Sequence, residues 1–210
     1  MTLLDKKEAL IKTEWQLFEA VNNIGGKADC QNDPETFAIM RRCQFVCWSE
    51  ELVDSWHNDL LSAKEKGRNL LSEKYAWMMR STSPFEFRAI SHLLHFPTIA
   101  AEQMIDEIIQ TEVEWMEQYE ENYPFMAKGN RPVRSKNDSQ WITSFETYLR
   151  GELYTYSEKT LSLYLDMIKQ LKYSGKSLAI CVMEAMVKEY GYKNLTDAEM
   201  QQKLHIKLNQ

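Results

Sequence analysis

Residues 139–156 read SQWITSFETYLRGELYTY, and their apolar residues recur at the spacing of an α-helix. When successive residues are turned by about 100°, one side of the stretch carries a stripe of five apolar residues: Ile142, Phe145, Leu149, Leu153 and Tyr156. The same period runs through nearly every other segment, whereas strict alternation of apolar and polar residues is scarce. The sequence therefore predicts an all-α protein, a single-domain bundle of about eight or nine helices over residues 1–210.

The composition excludes several broad classes of protein. The 210 residues are 44% hydrophobic, 27% charged and 11% aromatic, which excludes a disordered, collagen-like or low-complexity chain. Only 7 Gly and 5 Pro are available for turns, so an all-β sandwich or barrel is disfavoured. The 31 acidic residues exceed the 25 basic ones and give a net charge of −6.

Two features of the chain bear on its location. No stretch reaches the roughly 18 to 20 consecutive apolar residues that cross a bilayer, so we expect no membrane association through a span. The start, MTLLDKKEALIKTEW, carries charge throughout and is unlike a secretory signal. We therefore expect a cytoplasmic protein with four reduced cysteines.

Capping signals set the predicted boundaries of the first helices. The first helix is predicted over residues 5–23, with a stop at Ile24-Gly25-Gly26. Asp33 before Pro34 predicts the start of the next helix, which should run to about Trp48. Further capping boxes are predicted at 83–86 and at 196–199, and the second of these should begin a peripheral helix near 197–207.

Acidic and basic residues are segregated in the middle of the chain. The helix predicted over 98–123 carries eight acidic residues, so its surface should repel a nucleic-acid backbone, and we expect no nucleic-acid partner. The long loop near 124–139 carries four basic residues: Lys128, Arg131, Arg134 and Lys136. This loop is interpreted either as a lid for an anionic ligand or as a surface excursion.

Polar side chains also fall inside the apolar stripes of several helices. Isolated charges are costly to bury, so inward-facing ones must be paired or must open into a wet cavity. Glu112 is one such residue on the acidic helix. The candidate ligand-binding set comprises nine others: Glu14, Arg41, Gln44, Asp59, Lys74, Glu146, Arg150, Glu152 and Tyr156.

Known catalytic motifs are mostly missing. The chain lacks the paired Glu-x-x-His segments of a di-metal bundle, HExxH, GxSxG and GxGxxG. We therefore assign no metal ligands, and the sequence leaves cofactors and catalytic residues unknown.

Several separated motifs resemble one family over nearly the whole chain: 12–15 (KTEW), 30–33 (CQND), 67–79 (GRNLLSEKYAWMM) and 146–157 (ETYLRGELYTYS). This family is a bacterial one known as domain of unknown function 4125. The resemblance implies a cytoplasmic bacterial protein and an accessory role beside a nucleotidyltransferase-like domain. It transfers no catalytic residue.

Two functional hypotheses follow. In the first, a polar pocket between helices binds a small polar or charged molecule, with an anionic group on Arg41, Lys74 or Arg150. Glu14, Glu146 or Glu152 would then hold an amine, a hydroxyl or a metal, and acid–base catalysis stays open. In the alternative, the inward charges are structural salt bridges, and the acidic helix or basic loop docks a protein partner.

Overall fold

The computed structural model describes residues 1–22 and 26–208, and every regular element in these ranges is helical. The ten α-helices are α1 (Leu3–Glu19), α2 (Pro34–Gln44), α3 (Glu50–Glu65), α4 (Leu70–Thr82), α5 (Pro84–Ile90), α6 (Ile99–Asn122), α7 (Phe145–Leu153), α8 (Glu158–Tyr173), α9 (Leu178–Glu189) and α10 (Leu195–Leu208). Short 3₁₀ turns lie at Asp29–Asn32, Ser91–Leu93 and Ser135–Asn137. The predicted all-α class is confirmed, with ten helices instead of eight or nine.

Side-chain caps explain where α1 and α2 begin. The Thr2 hydroxyl accepts from the backbone of Asp5, whose carboxylate accepts from Thr2 N–H, so α1 begins before the predicted Asp5. Asp33 caps α2 by accepting from Thr36 N–H, with Pro34 in the first helical position, as predicted.

The first two helices end earlier in the chain than the sequence predicted. Helix α1 stops at Glu19, not at residue 23, and the predicted stop at residues 24 and 25 lies outside the described residues. Helix α2 stops at Gln44, not at Trp48, because the chain turns there so that Ser49 can cap α3 by accepting from Leu52 N–H.

Two predicted capping boxes were wrong. The Ser83 side chain makes no capping hydrogen bond, although α5 does begin at Pro84. Helix α10 begins one residue before Thr196, and the carboxylate of Glu199 instead accepts from the backbone N–H groups of Phe125 and Met126. A tertiary contact to the turn after α6 has therefore replaced the local one.

The helix predicted over 139–156 is shorter than its apolar stripe. Helix α7 begins only at Phe145, since the Asp138 carboxylate accepts from Ser144 N–H and from the Thr147 hydroxyl. These bonds hold residues 139–143 as a loop, and Ile142 is left 46% exposed. Ser144 also caps α7, because its side chain accepts from Thr147 N–H, so the helix begins after this residue although the apolar period extends further back.

One core runs through the bundle. Helix α1 packs on α3, α4 packs on α7, and α6 packs on α8 and α9. Fully buried side chains from these helices meet in the centre: Leu10, Leu52, Trp56, Leu60, Ile105, Ile108, Leu153, Leu161 and Ile168. Each such aliphatic side chain contributes about 1.5–3 kcal/mol through the loss of its exposed apolar surface.

Gly151 lets α4 and α7 approach closely. A Cβ atom at this position would lie 2.8 Å from the Lys74 carbonyl oxygen and 2.9 Å from Cγ of Met78. The backbone oxygen cannot move without displacing α4, which carries Lys74 toward the site described below. Glycine is therefore required by packing, not by backbone torsion.

We expect Gly151→Ala to lower the free energy of unfolding by about 1–3 kcal/mol, the range for overpacking a core. The direction of this change is the test, because at an unhindered helix position the replacement of glycine by alanine would instead raise the free energy of unfolding by about 1 kcal/mol. Urea denaturation followed by circular dichroism measures the change. A more stable variant would show that the two helices do not meet as closely as described.

Candidate functional site

Glu14 on α1 and Arg41 on α2 form an ion pair inside the core. The guanidinium donates two hydrogen bonds, from Nε to Oε2 at 2.7 Å and from Nη2 to Oε1 at 2.5 Å. Trp56 Nε1 donates a third bond to Glu14 Oε1 at 2.8 Å, and Glu14 has no exposed surface. The carboxylate is thus fully engaged, as a buried charge must be.

Glu152 on α7 joins a second acid to the same arginine and to Lys74 on α4. Its Oε2 accepts from Lys74 Nζ at 2.5 Å, and its Oε1 lies 3.3 Å from Nη1 and Nη2 of Arg41 and accepts from the Tyr156 hydroxyl at 3.1 Å. Burial alone would raise the pKa of Glu152, but the charges of Lys74 and Arg41 outweigh it and lower the pKa to about 2. We call Glu14, Arg41, Lys74 and Glu152 the ionic cluster.

The two cations of the ionic cluster stay charged. Burial by itself would lower the pKa of Arg41 and of Lys74, but the facing carboxylates raise both pKa values above their usual range. Gln44 extends the cluster, since its side-chain oxygen accepts from Arg41 Nη1. Two acids and two bases from four helices therefore form a balanced set in the middle of the bundle.

The structure places six of the nine candidate residues together and three elsewhere. Glu14, Arg41, Gln44, Lys74, Glu152 and Tyr156 form or touch the ionic cluster. The other three have partners away from the ionic cluster. Asp59 accepts from Ser157 N–H and the Thr160 hydroxyl, Glu146 accepts from Ser135 N–H, and Arg150 pairs with Asp106. Ligand binding by any of the nine stays a prediction.

A cavity of about 490 Å³ lies on the α4 side of the cluster, and we call it the α4 cavity. Arg41, Gln44 and Lys74 contribute to its wall, together with apolar side chains such as Phe37 and Leu71. Arg131, from the basic loop, reaches this cavity with its guanidinium carbon 4.6 Å from the centre of the Tyr148 ring. Arg131 Nη1 donates a hydrogen bond to the Thr143 carbonyl oxygen, and no described carboxylate pairs with this guanidinium.

Tyr148 is the titratable hydroxyl of the α4 cavity most affected by charge. Lys74 Nζ lies 3.8 Å from the centre of the Tyr148 ring, and its charge lowers the pKa of this tyrosine. Burial raises the pKa of the neighbouring Tyr75 instead. The two phenols therefore differ in proton affinity within one cavity.

A second cavity, of about 120 Å³, lies on the α9 side of the cluster, and we call it the α9 cavity. Glu112 on α6 lines it and accepts from the Tyr164 hydroxyl at 2.7 Å. Burial raises the pKa of Glu112 to about 7, although the bond from Tyr164 acts in the opposite direction. The apolar stripe of α6 marks Glu112 as inward-facing, but the candidate ligand-binding set did not include this residue.

The comparisons with known proteins identify the family. The family model described as "Protein of unknown function (DUF4125)" matches residues 6–200. The chain belongs to this family. The resemblance noted in the sequence is thereby confirmed, whereas no curated protein and no solved structure matches the chain.

Two features are absent from the described residues. Among residues 1–22 and 26–208, no group of three or more His, Cys, Asp or Glu side chains is arranged to hold a metal ion. None of the helices in these ranges combines the length and the apolar character needed to cross a membrane.

We expect Glu152→Gln to lower the free energy of unfolding at pH 7 by about 3–5 kcal/mol, because it leaves buried Lys74 without its counter-ion. The folded-state pKa of Glu152 lies below its ordinary value, so this contribution is complete above pH 4.5 and is lost as the pH falls toward 2. Denaturation curves of both proteins should therefore converge in acid. Glu117→Gln, which breaks an exposed pair with Arg134, is the control and should cost at most about 1 kcal/mol.

Glu112→Gln should have the opposite effect. The pKa of Glu112 is raised on folding from 4.5 to about 7, so the wild type loses stability as the pH rises through this range. The variant should be more stable by about 3 kcal/mol at pH 8 and equal to the wild type at pH 4. Thermal unfolding at both pH values measures this, and a pH-independent difference would contradict the assignment. Glu114→Gln, on the exposed side of α6, should show no such dependence.

Proposed function

We propose that the α4 cavity binds a small organic anion with an apolar body. The observation that carries this proposal is the position of Arg131, a cation without a described carboxylate partner, in the wall of a cavity that Arg41 and Lys74 also line. The same wall contains Asp33, whose carboxylate accepts from Thr36 N–H at the start of α2. A ligand carboxylate or phosphate would pair with this exposed guanidinium, which can bind either group with two hydrogen bonds.

The walls of the α4 cavity support the second part of the proposal. Phe18, Phe37 and Leu71 present apolar surface beside the charged groups. The rings of Phe18 and Phe37 are stacked with centroids 5.1 Å apart and offer a flat wall. Pockets for small molecules usually combine such apolar walls with a few placed polar groups. The volume of about 490 Å³ suits an aromatic or branched aliphatic acid.

Tyr148 is the group that we expect to move a proton if the bound molecule reacts. Lys74 favours the phenolate of Tyr148, which lowers the pKa of the hydroxyl toward the range where it can act as a base. The Lys74 ammonium is held in place by Glu152 and is therefore a fixed charge beside this hydroxyl. Binding does not depend on this step.

A non-enzymatic interaction module is the second candidate function. The segment from α5 to the start of α6 leaves four large apolar side chains more than half exposed: Phe85, Leu93, Phe96 and Ile99. Exposed apolar surface of this kind is typical of protein-binding regions. Docking at this segment would not require Arg131.

Calorimetric titration with phenylacetate, phenyl phosphate and the neutral 2-phenylethanol tests the anion site. We expect the two anions to bind and the alcohol to bind at least tenfold more weakly. Arg131→Gln should weaken anion binding about tenfold or more, since a charge-assisted hydrogen bond contributes about 1.5–3 kcal/mol.

Arg134→Gln is the matched control for this experiment. Arg134 lies in the same loop but pairs with Glu117 and does not line the α4 cavity, so its removal should leave the dissociation constants unchanged. Equal losses in both variants would mean that the loop acts only through its overall charge. Failure of both anions to bind at millimolar concentration would contradict the proposal.

A further inference from the structure

The α9 cavity contains an acid that the ionic cluster does not neutralise. Glu112 is 93% buried, with a relative exposure of 7%. Its Oε1 accepts from the Tyr164 hydroxyl, and its Oε2 receives no hydrogen bond within residues 1–22 and 26–208. A buried carboxyl that is only half satisfied, in the wall of a cavity, is a position where a ligand donor would be stabilised.

The charges around this cavity define the sign of that ligand. The titratable groups that line it beside Glu112 are Arg41, Tyr148, Glu152, Tyr156 and Tyr164. Helix α9 adds only apolar side chains: Leu178, Ala179, Val182 and Met183. Because Arg41 and Lys74 already balance Glu14 and Glu152, Glu112 is an acid without a counter-ion in the wall of the α9 cavity.

Aromatic rings form a second feature suited to a cation. The Trp48 ring meets those of Tyr164 and Tyr156 edge-on, with centroids 5.7 and 6.4 Å apart, and all three residues line the cavity. Ring faces attract ammonium groups, and the attraction is larger when water is excluded. The same rings offer apolar surface to an alkyl chain.

The volume limits the size of the ligand. The cavity measures about 120 Å³. An apolar cavity of about 150 Å³ accepts benzene in another protein, so a molecule of about five or six non-hydrogen atoms is the appropriate size.

We propose that the α9 cavity binds a small primary alkylammonium ion, with the nitrogen donating to Glu112 and the alkyl chain lying against α9 and the aromatic rings. The site is separate from the proposed anion site and does not depend on it. The ammonium supplies the hydrogen bond that Oε2 lacks and a positive charge opposite Glu112, since Arg41 is paired with Glu14 and Glu152. The α9 side chains then exclude water from the ion pair.

Three probes of similar size and different charge test this proposal: n-butylammonium, 1-butanol and butyrate. Calorimetric titration at pH 8, where Glu112 is ionised, should show that butylammonium binds at least tenfold more tightly than butanol and that butyrate does not bind. Glu112→Gln should weaken butylammonium binding at least tenfold and leave butanol binding unchanged. Glu114→Gln, an equal change of charge on the exposed side of α6, should have no effect.

The wild-type protein provides a test that needs no variant. Protonation of Glu112 below pH 7 should weaken butylammonium binding about tenfold or more between pH 8 and pH 5.5. The proposal is overturned by equal binding of the ammonium ion and the alcohol, by unchanged binding in a folded Glu112→Gln variant, or by no binding at pH 8. Arg131→Gln should not affect butylammonium, so failure here is distinguishable from failure of the anion site.

Discussion

Arg41 lies inside the bundle between two carboxylates from different helices, and the arrangement of the interior depends on this contact. Its guanidinium bonds to Glu14 of α1 and approaches Glu152 of α7, which in turn binds Lys74 of α4. A buried ionic set of this kind contributes little net stability compared with apolar packing, because its members lose their hydration. Its geometric demand is strict, however, since a sliding helix would leave a charge unpaired. The ionic cluster therefore fixes how four helices are aligned, and Gly151 allows two of them to come close enough.

The same cluster separates two cavities of different character. Three residues contribute to the walls of both cavities: Arg41, Gln44 and Tyr148. The ionic cluster and its polar neighbours therefore form the wall between the two cavities. The four charges of the ionic cluster balance one another. Beyond them, Arg131 on the α4 side has no described carboxylate partner, and Glu112 on the α9 side has no cationic one. This asymmetry is why the two proposed ligands differ in charge, although both sites share part of one wall.

Helical period and capping residues carried most of the fold prediction, and they failed where a side chain had a better tertiary partner. Glu199 had the spacing of a capping box, yet it binds the turn after α6. Ile142 extended the apolar stripe of α7, yet that helix begins three residues later, at Phe145, because Asp138 binds the backbone N–H of Ser144. Asp59, Glu146 and Arg150 matched the inward pattern as well as Glu14 did, but they meet other partners: the start of α8, Ser135 in the basic loop, and Asp106 on α6. The hydrophobic period identifies the buried face of a helix, but it does not identify the residue on a neighbouring element that this face meets.

The sequence by itself determined the all-α class, most helix starts, the family and the presence of inward charges, because each of these is a property of local spacing or of residue type. Only the tertiary structure decided which charges meet. Pairing depends on how helices far apart in the chain cross, and the same set of acids and bases could have been matched in several ways. The cavities, and the positions of Arg131 and Glu112 in their walls, follow from that matching. They emerge only when the crossing of α2, α4, α6 and α7 is known.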